Sequence, residues 1–485
     1  MHALSLEKVL PTASCAEPLG PGGDPGRILA GVFETFDRAG IPYCVLHGYE
    51  SYPLRIKSDV DCVIDATVTD GQILALLSHH CDRIGADVVV YRRYHVSPIV
   101  LAGRSADGSL SFLKLHLNVD CEHHGLTFYP GSQVLAGRRR YRQFWIPEPK
   151  IEFCGYLART IAKGELGDER ARRLCSLYQQ DAAGCEQEAA RFWDTHSREL
   201  IFSAARSGDW EQVRHRLGEL RAELRRRMIL RHPMRFVGRW LRGVLERLIR
   251  LWQPNGLSVV LLGPDGAGKS SIVGAVGPLL APLFARWTCR WGPFGAPPLL
   301  KYLIRHRDDC PTDPNKPHGF APRSLLGSLA RVGYWFAYHT LGYPTFHLAL
   351  ARWSLVLHDR HFVDILVDPR RYRYNGPFWL PRLVWRLIPR PDLIILLDAP
   401  AEVLQARKQE VPFEETARQR KAYLSLVQGL RNGRVVDAAQ PLEHVVGEVS
   451  DIILRHLAKR VQSRLPSKSA VAAGESLITA TPSAP

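Results

Sequence analysis

The residues of this chain best placed to do chemistry lie in one short run, Gly263-Pro264-Asp265-Gly266-Ala267-Gly268-Lys269-Ser270, followed by Ser271. The spacing fits G-x-x-x-x-G-K-[ST] without a mismatch. Glycines at these positions let backbone N–H groups close around a polyphosphate, and a helix starting at the loop turns its positive end toward it. Lys269 is expected to reach the β- and γ-phosphates and Ser270 to hold Mg²⁺. The flanks suit this. Residues 257–262 form an apolar run that reads as a buried parallel strand, and residues 272–284 read as a helix.

Further along, an apolar run ends in Asp359-Arg360, where an acid beside the loop could hold Mg²⁺ through water or orient an acceptor. Residues 392–398 read as another strand, leading into a charged segment with Arg407, Lys408, Arg418 and Arg420. Mobile arginines above a nucleotide can close on a transferring phosphoryl group; the plainer alternative is a solvated helix face. Between these lies Val367-Asp-Pro-Arg370-Arg371-Tyr372-Arg-Tyr-Asn-Gly-Pro377, in which guanidinium forks suit phosphate or carboxylate and tyrosines suit sugars or bases. In the first part of the chain, Gly48 follows a strand and Asp59-Val-Asp61 begins the next. Alternate residues of a strand share a face, so Asp59 and Asp61 could hold Mg²⁺ together and align a nucleoside triphosphate. His79-His-Cys81 and Cys121-Glu-His-His124 lack a second pair at finger spacing, so neither reads as a zinc site.

The elements that must position these residues divide the chain. A loose arm is expected over residues 1–26, and a small α/β domain over 27–149 with strands at 43–47, 60–65, 87–91 and 112–119. A helical connector is expected over 150–256. An alternating α/β domain follows over 257–460, with strands at 257–262, 354–358, 393–397 and 434–436, and a Ser-, Ala- and Pro-rich disordered tail over 461–485. The fold class is therefore α/β: a parallel sheet with flanking helices, preceded by a smaller α/β domain. At 485 residues and 46% hydrophobic content the chain can build two or three cores, and its formal charge of +16 favours anionic partners. Ten cysteines without a C-x-x-C pair point to reduced thiols. Residues 332–351 are apolar but carry His, Pro and Tyr, which suits packing inside a domain rather than a membrane span.

In the connector, Val237, Trp240, Leu241, Val244, Leu245, Leu248 and Trp252 make one helical stripe, with Arg235, Arg239, Arg242 and Arg250 mainly off it. The plainer expectation docks this stripe on the 257–460 domain with the arginines in water; the alternative lays it on an anionic membrane. No nucleic-acid reader motif is present, which argues against nucleic acid as a partner.

The ordered set of Gly263 to Ser271, Asp359-Arg360, the Leu-Asp-Ala-Pro-Ala-Glu-Val pattern running into Arg407, and Asp437-Ala438-Ala-Gln-Pro-Leu-Glu443 resembles the thymidylate kinase family of P-loop nucleoside monophosphate kinases. The resemblance implies ATP and Mg²⁺ as cofactors. It also implies adenine near Arg407 and the segment that includes Ala438, and lid roles for Arg418 and Arg420. It departs at the acceptor. The family's Arg-Glu-Pro-Gly-Gly segment is replaced by Arg290-Trp-Gly-Pro-Phe-Gly-Ala-Pro298, and the nucleoside-contacting residues by the segment with Arg370, Arg371 and Tyr372. Gly48 with Asp59 and Asp61 resembles the nucleotidyltransferase superfold, whose third carboxylate would fall near His116, with Asp120 as a substitute. The two halves together resemble proteins of bacterial surface-polysaccharide biosynthesis. That resemblance implies a kinase acting on a sugar, glycan or lipid-linked acceptor, with a nucleotide acceptor also open. The reduced thiols suit a cytoplasmic protein, at the inner face of the membrane if the connector binds lipid. A genuine dTMP kinase, an ATP-binding scaffold or sensor without turnover, and an active nucleotidyltransferase domain stay open as alternatives.

Overall fold

The computed structural model describes residues 25–56, 59–91, 98–105, 108–123, 125–231, 233–290 and 321–463. The expected arm before residue 25, the tail beyond 463, His124 and the 291–298 segment lie outside them. The chain divides into two units, one of Arg247–His456 and one of residues 25–246 with 457–463.

The first unit opens with α1 (Pro25–Arg38), whose Ile28, Leu29, Val32, Phe33 and Phe36 recur at helical spacing and are buried on one face. A five-stranded mixed sheet follows: β1 (Tyr43–Val45), β2 (Val60–Ile64), β3 (Asp87–Val90), β4 (Pro98–Arg104) and β5 (Leu110–Asn118), in the order β1-β2-β5-β4-β3. Strand β2 pairs β1 antiparallel and β5 parallel, and the latter register sets Asp61 opposite His116. Helices α2 (Asp70–His79) and α3 (Cys81–Ile84) connect β2 to β3; Thr69 and Gln72 form a capping box that fixes the start of α2. Two small hairpins, β6 (Cys121–His123) with β7 (Leu126–Tyr129) and β8 (Arg139–Tyr141) with β9 (Phe144–Ile146), flank α4 (Gly131–Ala136).

The segment expected as a connector is helical: α5 (Pro149–Lys163), α6 (Asp168–Gln180), α7 (Ala182–Ala189), α8 (Thr195–Ser207), α9 (Glu211–His215), α10 (Leu217–Arg231) and α11 (Pro233–Trp252). Most of it does not serve as a connector. Phe153, Leu157, Ile161, Phe192, Trp193 and Trp210 are fully buried in one cluster with Tyr129 and Val63, so α5 to α10 complete the core of the first unit. Helix α11 departs from expectation in another way: Trp240, Leu241, Leu245, Leu248 and Trp252 of its stripe are exposed rather than docked.

The second unit is built on an all-parallel sheet of β10 (Leu257–Leu262), β11 (Arg286–Arg290), β12 (Ser354–His358), β13 (Leu393–Asp398) and β14 (Gly433–Asp437), in the order β11-β12-β10-β13-β14. Strand β10 is central, and β10 and β12 are buried along their whole length, as a parallel sheet covered on both faces requires. The helices are α12 (Lys269–Leu280), α13 (Leu325–Leu341), α14 (Tyr343–Ala351), α15 (Trp379–Leu387), α16 (Ala401–Arg407), α17 (Phe413–Gln428) and α18 (Leu442–Gln462). The apolar stretch at 332–351 is two helices, α13 and α14, with Val332, Trp335, Phe346 and Leu350 buried inside the unit. Chain order and sheet order diverge on either side of β10, which puts a topological switch point beside the end of β10.

Candidate active site

The 263–270 loop leaves β10 at that switch point and enters α12. Its path depends on glycine: Gly263, Gly266 and Gly268 have φ of 152°, 85° and 83°. A Cβ on Gly266 would lie 2.7 Å from the Leu404 carbonyl oxygen, and one on Gly263 2.8 Å from that of Leu397. Lys269 is buried at the first turn of α12 and donates to the carbonyl oxygens of Gly263 (2.7 Å) and Pro264 (2.9 Å), so its ammonium sits in the mouth of the loop. Burial pushes its pKa down, against the pull of Asp265.

Asp359, one residue beyond β12, is buried and accepts a hydrogen bond from Ser270 Oγ at 2.9 Å. Its other oxygen, Oδ1, is buried without a hydrogen-bond partner. A buried unpaired carboxylate oxygen is costly, so the position calls for a cation or a donor that completes it. Hydroxyl and carboxylate oxygens are the hard ligands Mg²⁺ takes, so Ser270 and Asp359 fit that ion.

Asp265 organises the cations around the loop. It receives Arg371 through both terminal nitrogens, Nη1 at 3.1 Å, and Arg360 Nη2 at 3.2 Å. Burial opposes ionisation of Asp265, but its contact with Glu410 and the charges of Lys269 and Arg371 together hold its carboxyl well below the usual range. Glu410 bonds Arg371 Nη2 at 2.9 Å and pairs with Lys408. Sequence reading missed Glu410, whose partner Arg371 lies 39 positions away along the chain. It also missed Asp364, a buried acid that accepts from Tyr423 at 2.8 Å; burial raises its pKa and Arg360 opposes the rise.

The expected acceptor residues separate. Arg370 is exposed, Arg371 is committed to Asp265, and Tyr372 packs edge-on against Trp335 at 5.4 Å. Arg418 and Arg420, expected in a lid, stand on α17 in fixed pairs. Arg418 bonds Glu415 (2.6 and 2.7 Å) and the Val367 carbonyl (2.9 Å), and Arg420 forks onto Asp398 (2.8 and 2.9 Å). Arg407 donates to the Ala438 carbonyl at 2.8 Å and the Ala438 N–H donates to Asp398 at 2.7 Å, which ties the turn after β14 to the end of α16. Ala267 is buried beneath the loop, and Ser271 is exposed.

In the first unit, Gly48 adopts φ 75° after β1. Asp59 and Asp61 lie on β2 or at its edge, yet each is met by cations. Asp59 accepts from His116 Nε2 at 3.0 Å, with Lys114 at 3.9 Å. Burial opposes its ionisation, but that hydrogen bond and the Lys114 charge hold its pKa below the usual range. Asp61 is buried between Arg159 (2.9 Å) and His47 (3.3 Å). His116 occupies the position opposite Asp61 where a third carboxylate would fall, and Asp120 accepts from the Gly131 N–H at the start of α4. Tyr49, next to Gly48, donates to buried Glu152 at 2.6 Å and accepts from Arg173 at 2.6 Å. Among the described residues, no group of three or more His, Cys, Asp or Glu side chains is placed to hold a metal ion, and no helix is long and apolar enough to cross a membrane.

No protein-family model matches this chain, and no curated protein matches it. Solved structures do. The thymidylate kinase of Candida albicans aligns with 42% of this chain and 94% of its own, at 16% identity and a TM-score of 0.32, a weak likeness to a nucleotide kinase.

Proposed function

We propose that Arg247–His456 is an ATP-dependent phosphotransferase that moves the γ-phosphoryl group of ATP to a nucleotide, sugar or glycan-linked acceptor. The observation that supports it most is the Ser270–Asp359 pair at 2.9 Å, with the second Asp359 oxygen buried and unpaired, beside a buried Lys269. Mg²⁺ held by Ser270 and Asp359 would offset charge on the phosphates. The chain's own residues do the rest. Loop N–H groups and Lys269 bind the phosphates; Arg407 and the Ala438 turn border the adenine; Arg360 and Arg371, locked by Asp265, fix the cationic wall of the site. Arg418 and Arg420 reach the reacting group only by leaving Glu415 and Asp398. Each carboxylate is largely buried and accepts two bonds from its arginine, and Arg418 also holds the Val367 carbonyl, so release requires the reacting phosphates to replace those bonds.

Of the three expected acceptor residues only Arg370 is exposed and uncommitted, so it is the acceptor contact in this reading, and the rebuilt 367–377 segment is the reason to favour a surface-polysaccharide acceptor over dTMP. In the first unit Asp59 is paired with His116 and Lys114, and Asp61 with Arg159 and His47, so nucleotidyl transfer there would require a metal ion to displace these cations.

The test is acceptor-dependent ADP release by the whole chain with Mg-ATP, across dTMP, other nucleoside monophosphates, sugars, sugar phosphates and glycan extracts. Lys269→Ala is expected to abolish release while leaving the circular dichroism spectrum unchanged. Stimulation by dTMP alone makes the chain a dTMP kinase. Tight ATP binding with no acceptor-dependent release makes it a nucleotide-binding scaffold.

A further inference from the structure

Helix α15 has two opposite faces. Pro381, Val384 and Trp385, with Ile388 just beyond, are buried in the second unit's core. The other face is open, and it is apolar where a solvated face would be polar. Trp379 is 62% exposed, Leu383 43% and Leu387 59%, and these recur every fourth residue as one row along the helix. Phe378, 49% exposed, extends the row at its start. Arg382 and Arg386 stand three residues beyond Trp379 and Leu383 and make an exposed cationic row beside the apolar one, and exposed Arg390 lies just past the helix end, beyond the extended Ile388. Among the described residues none of these three arginines has an ion pair or hydrogen bond, and residues 369–391 contain no Asp or Glu.

We propose that the exposed face of α15 docks on an anionic lipid bilayer, with Trp379, Leu383 and Leu387 entering the headgroup and acyl boundary and Arg382, Arg386 and Arg390 lying on lipid phosphates. Charge complementarity selects this occupant. A second copy of the chain meeting the same face would set arginine against arginine with no carboxylate in the segment to offset them. A nucleic-acid backbone would satisfy the arginines but leave the leucine row in water. A bilayer with anionic headgroups satisfies both rows at once. Helix α11 repeats the chemistry, with Trp240, Leu241, Leu245 and Leu248 exposed along an arginine-rich helix. The docking face does not depend on the phosphoryl-transfer reading.

The experiment is flotation of the full chain with phosphatidylcholine vesicles, with and without phosphatidylglycerol, at low and high salt. Binding is expected only with phosphatidylglycerol, weakening as salt rises. Arg382→Glu with Arg386→Glu is expected to lower partitioning at least about tenfold, as is Leu383→Glu with Leu387→Glu. Both double variants should keep the wild-type circular dichroism spectrum and nucleotide-induced thermal shift, which shows that they fold. Lys269→Ala should float like the wild type, separating docking from catalysis. Equal binding to neutral vesicles, undiminished binding by both α15 variants, loss only on changing Trp240 and Leu241 in α11, concentration-dependent dimerisation abolished by the same changes, or retention on an oligonucleotide with no vesicle binding would each overturn the proposal.

Discussion

At the scale of single residues, the second unit is organised by acids that each answer to more than one partner. Asp359 is the sharpest case, because one oxygen takes Ser270 and the other is buried without a hydrogen-bond partner. Asp359→Ala is expected to slow ADP release at least about a hundredfold, the scale on which removing one preorganised electrostatic contact acts. Nucleotide binding without Mg²⁺, read by thermal shift, should change little, whereas the added stabilisation from Mg²⁺ should disappear. A second residue-scale effect concerns acid. His339 is buried among His361, Trp335 and Phe362, and burial lowers its pKa from 6.5 to about 4. The folded pKa lies below the unfolded one, so the unfolded chain takes the proton first as pH falls. Stability from neutral His339 is complete above about pH 6.5 and is lost as pH falls from there toward 4, by roughly 3 kcal/mol in all. His339→Leu should flatten the fall of the melting temperature across that window. An unchanged slope would show that His339 is solvated or already charged.

At the scale of elements, legibility followed range. The loop, β10, β12 and β13 were readable because spacing and apolar runs are local properties of the chain. The five-residue β11 was not: Arg-Trp-Thr-Cys-Arg has no apolar run, and it becomes a strand by pairing with β12. Strand β4 was likewise missed, although β5 and β3 both pair with it. The site's wiring was illegible for the same reason. Asp265 and Arg371 are 106 positions apart, and Arg173 reaches Tyr49 across 124. Arginines at 418 and 420 could be noticed, but nothing local announces that α17 holds them on Glu415 and Asp398. What the motif did encode is backbone shape, and that can be tested at the loop. Gly266 sits at φ 85°, with the Leu404 carbonyl where a side chain would go. Gly266→Ala must adopt a left-handed conformation costing about 1–2 kcal/mol or move the start of α16 away. Either outcome should weaken ATP binding at least about tenfold by calorimetric titration, while the unfolding midpoint of the first unit stays where it was.

At the scale of the whole molecule, the described residues of each unit carry core clusters of their own, gathered in the first by α5 to α10 and by α1 with the mixed sheet, and in the second by the parallel sheet. Units with their own cores unfold as their own cooperative events unless a large apolar interface couples them. Scanning calorimetry is therefore expected to give two transitions, and two perturbations should move them separately. Mg-ATP at about a hundredfold excess over its Kd adds about 2.7 kcal/mol to the unit that binds it, so only the transition of Arg247–His456 should rise. Glu152 acts on the other. It is buried and binds both Tyr49 and Arg173, and Arg173 is itself only 19% exposed. Glu152→Ala leaves that guanidinium with Glu50 and the Tyr49 hydroxyl but without its buried carboxylate partner, at a cost of about 1.5–3 kcal/mol, the scale of a hydrogen bond to a charged group. Its transition should fall by several degrees with the Mg-ATP-sensitive one unmoved. If both perturbations shift a single merged transition instead, the two cores are energetically one, and nucleotide binding proposed for the second unit would then answer to any change of stability in the first.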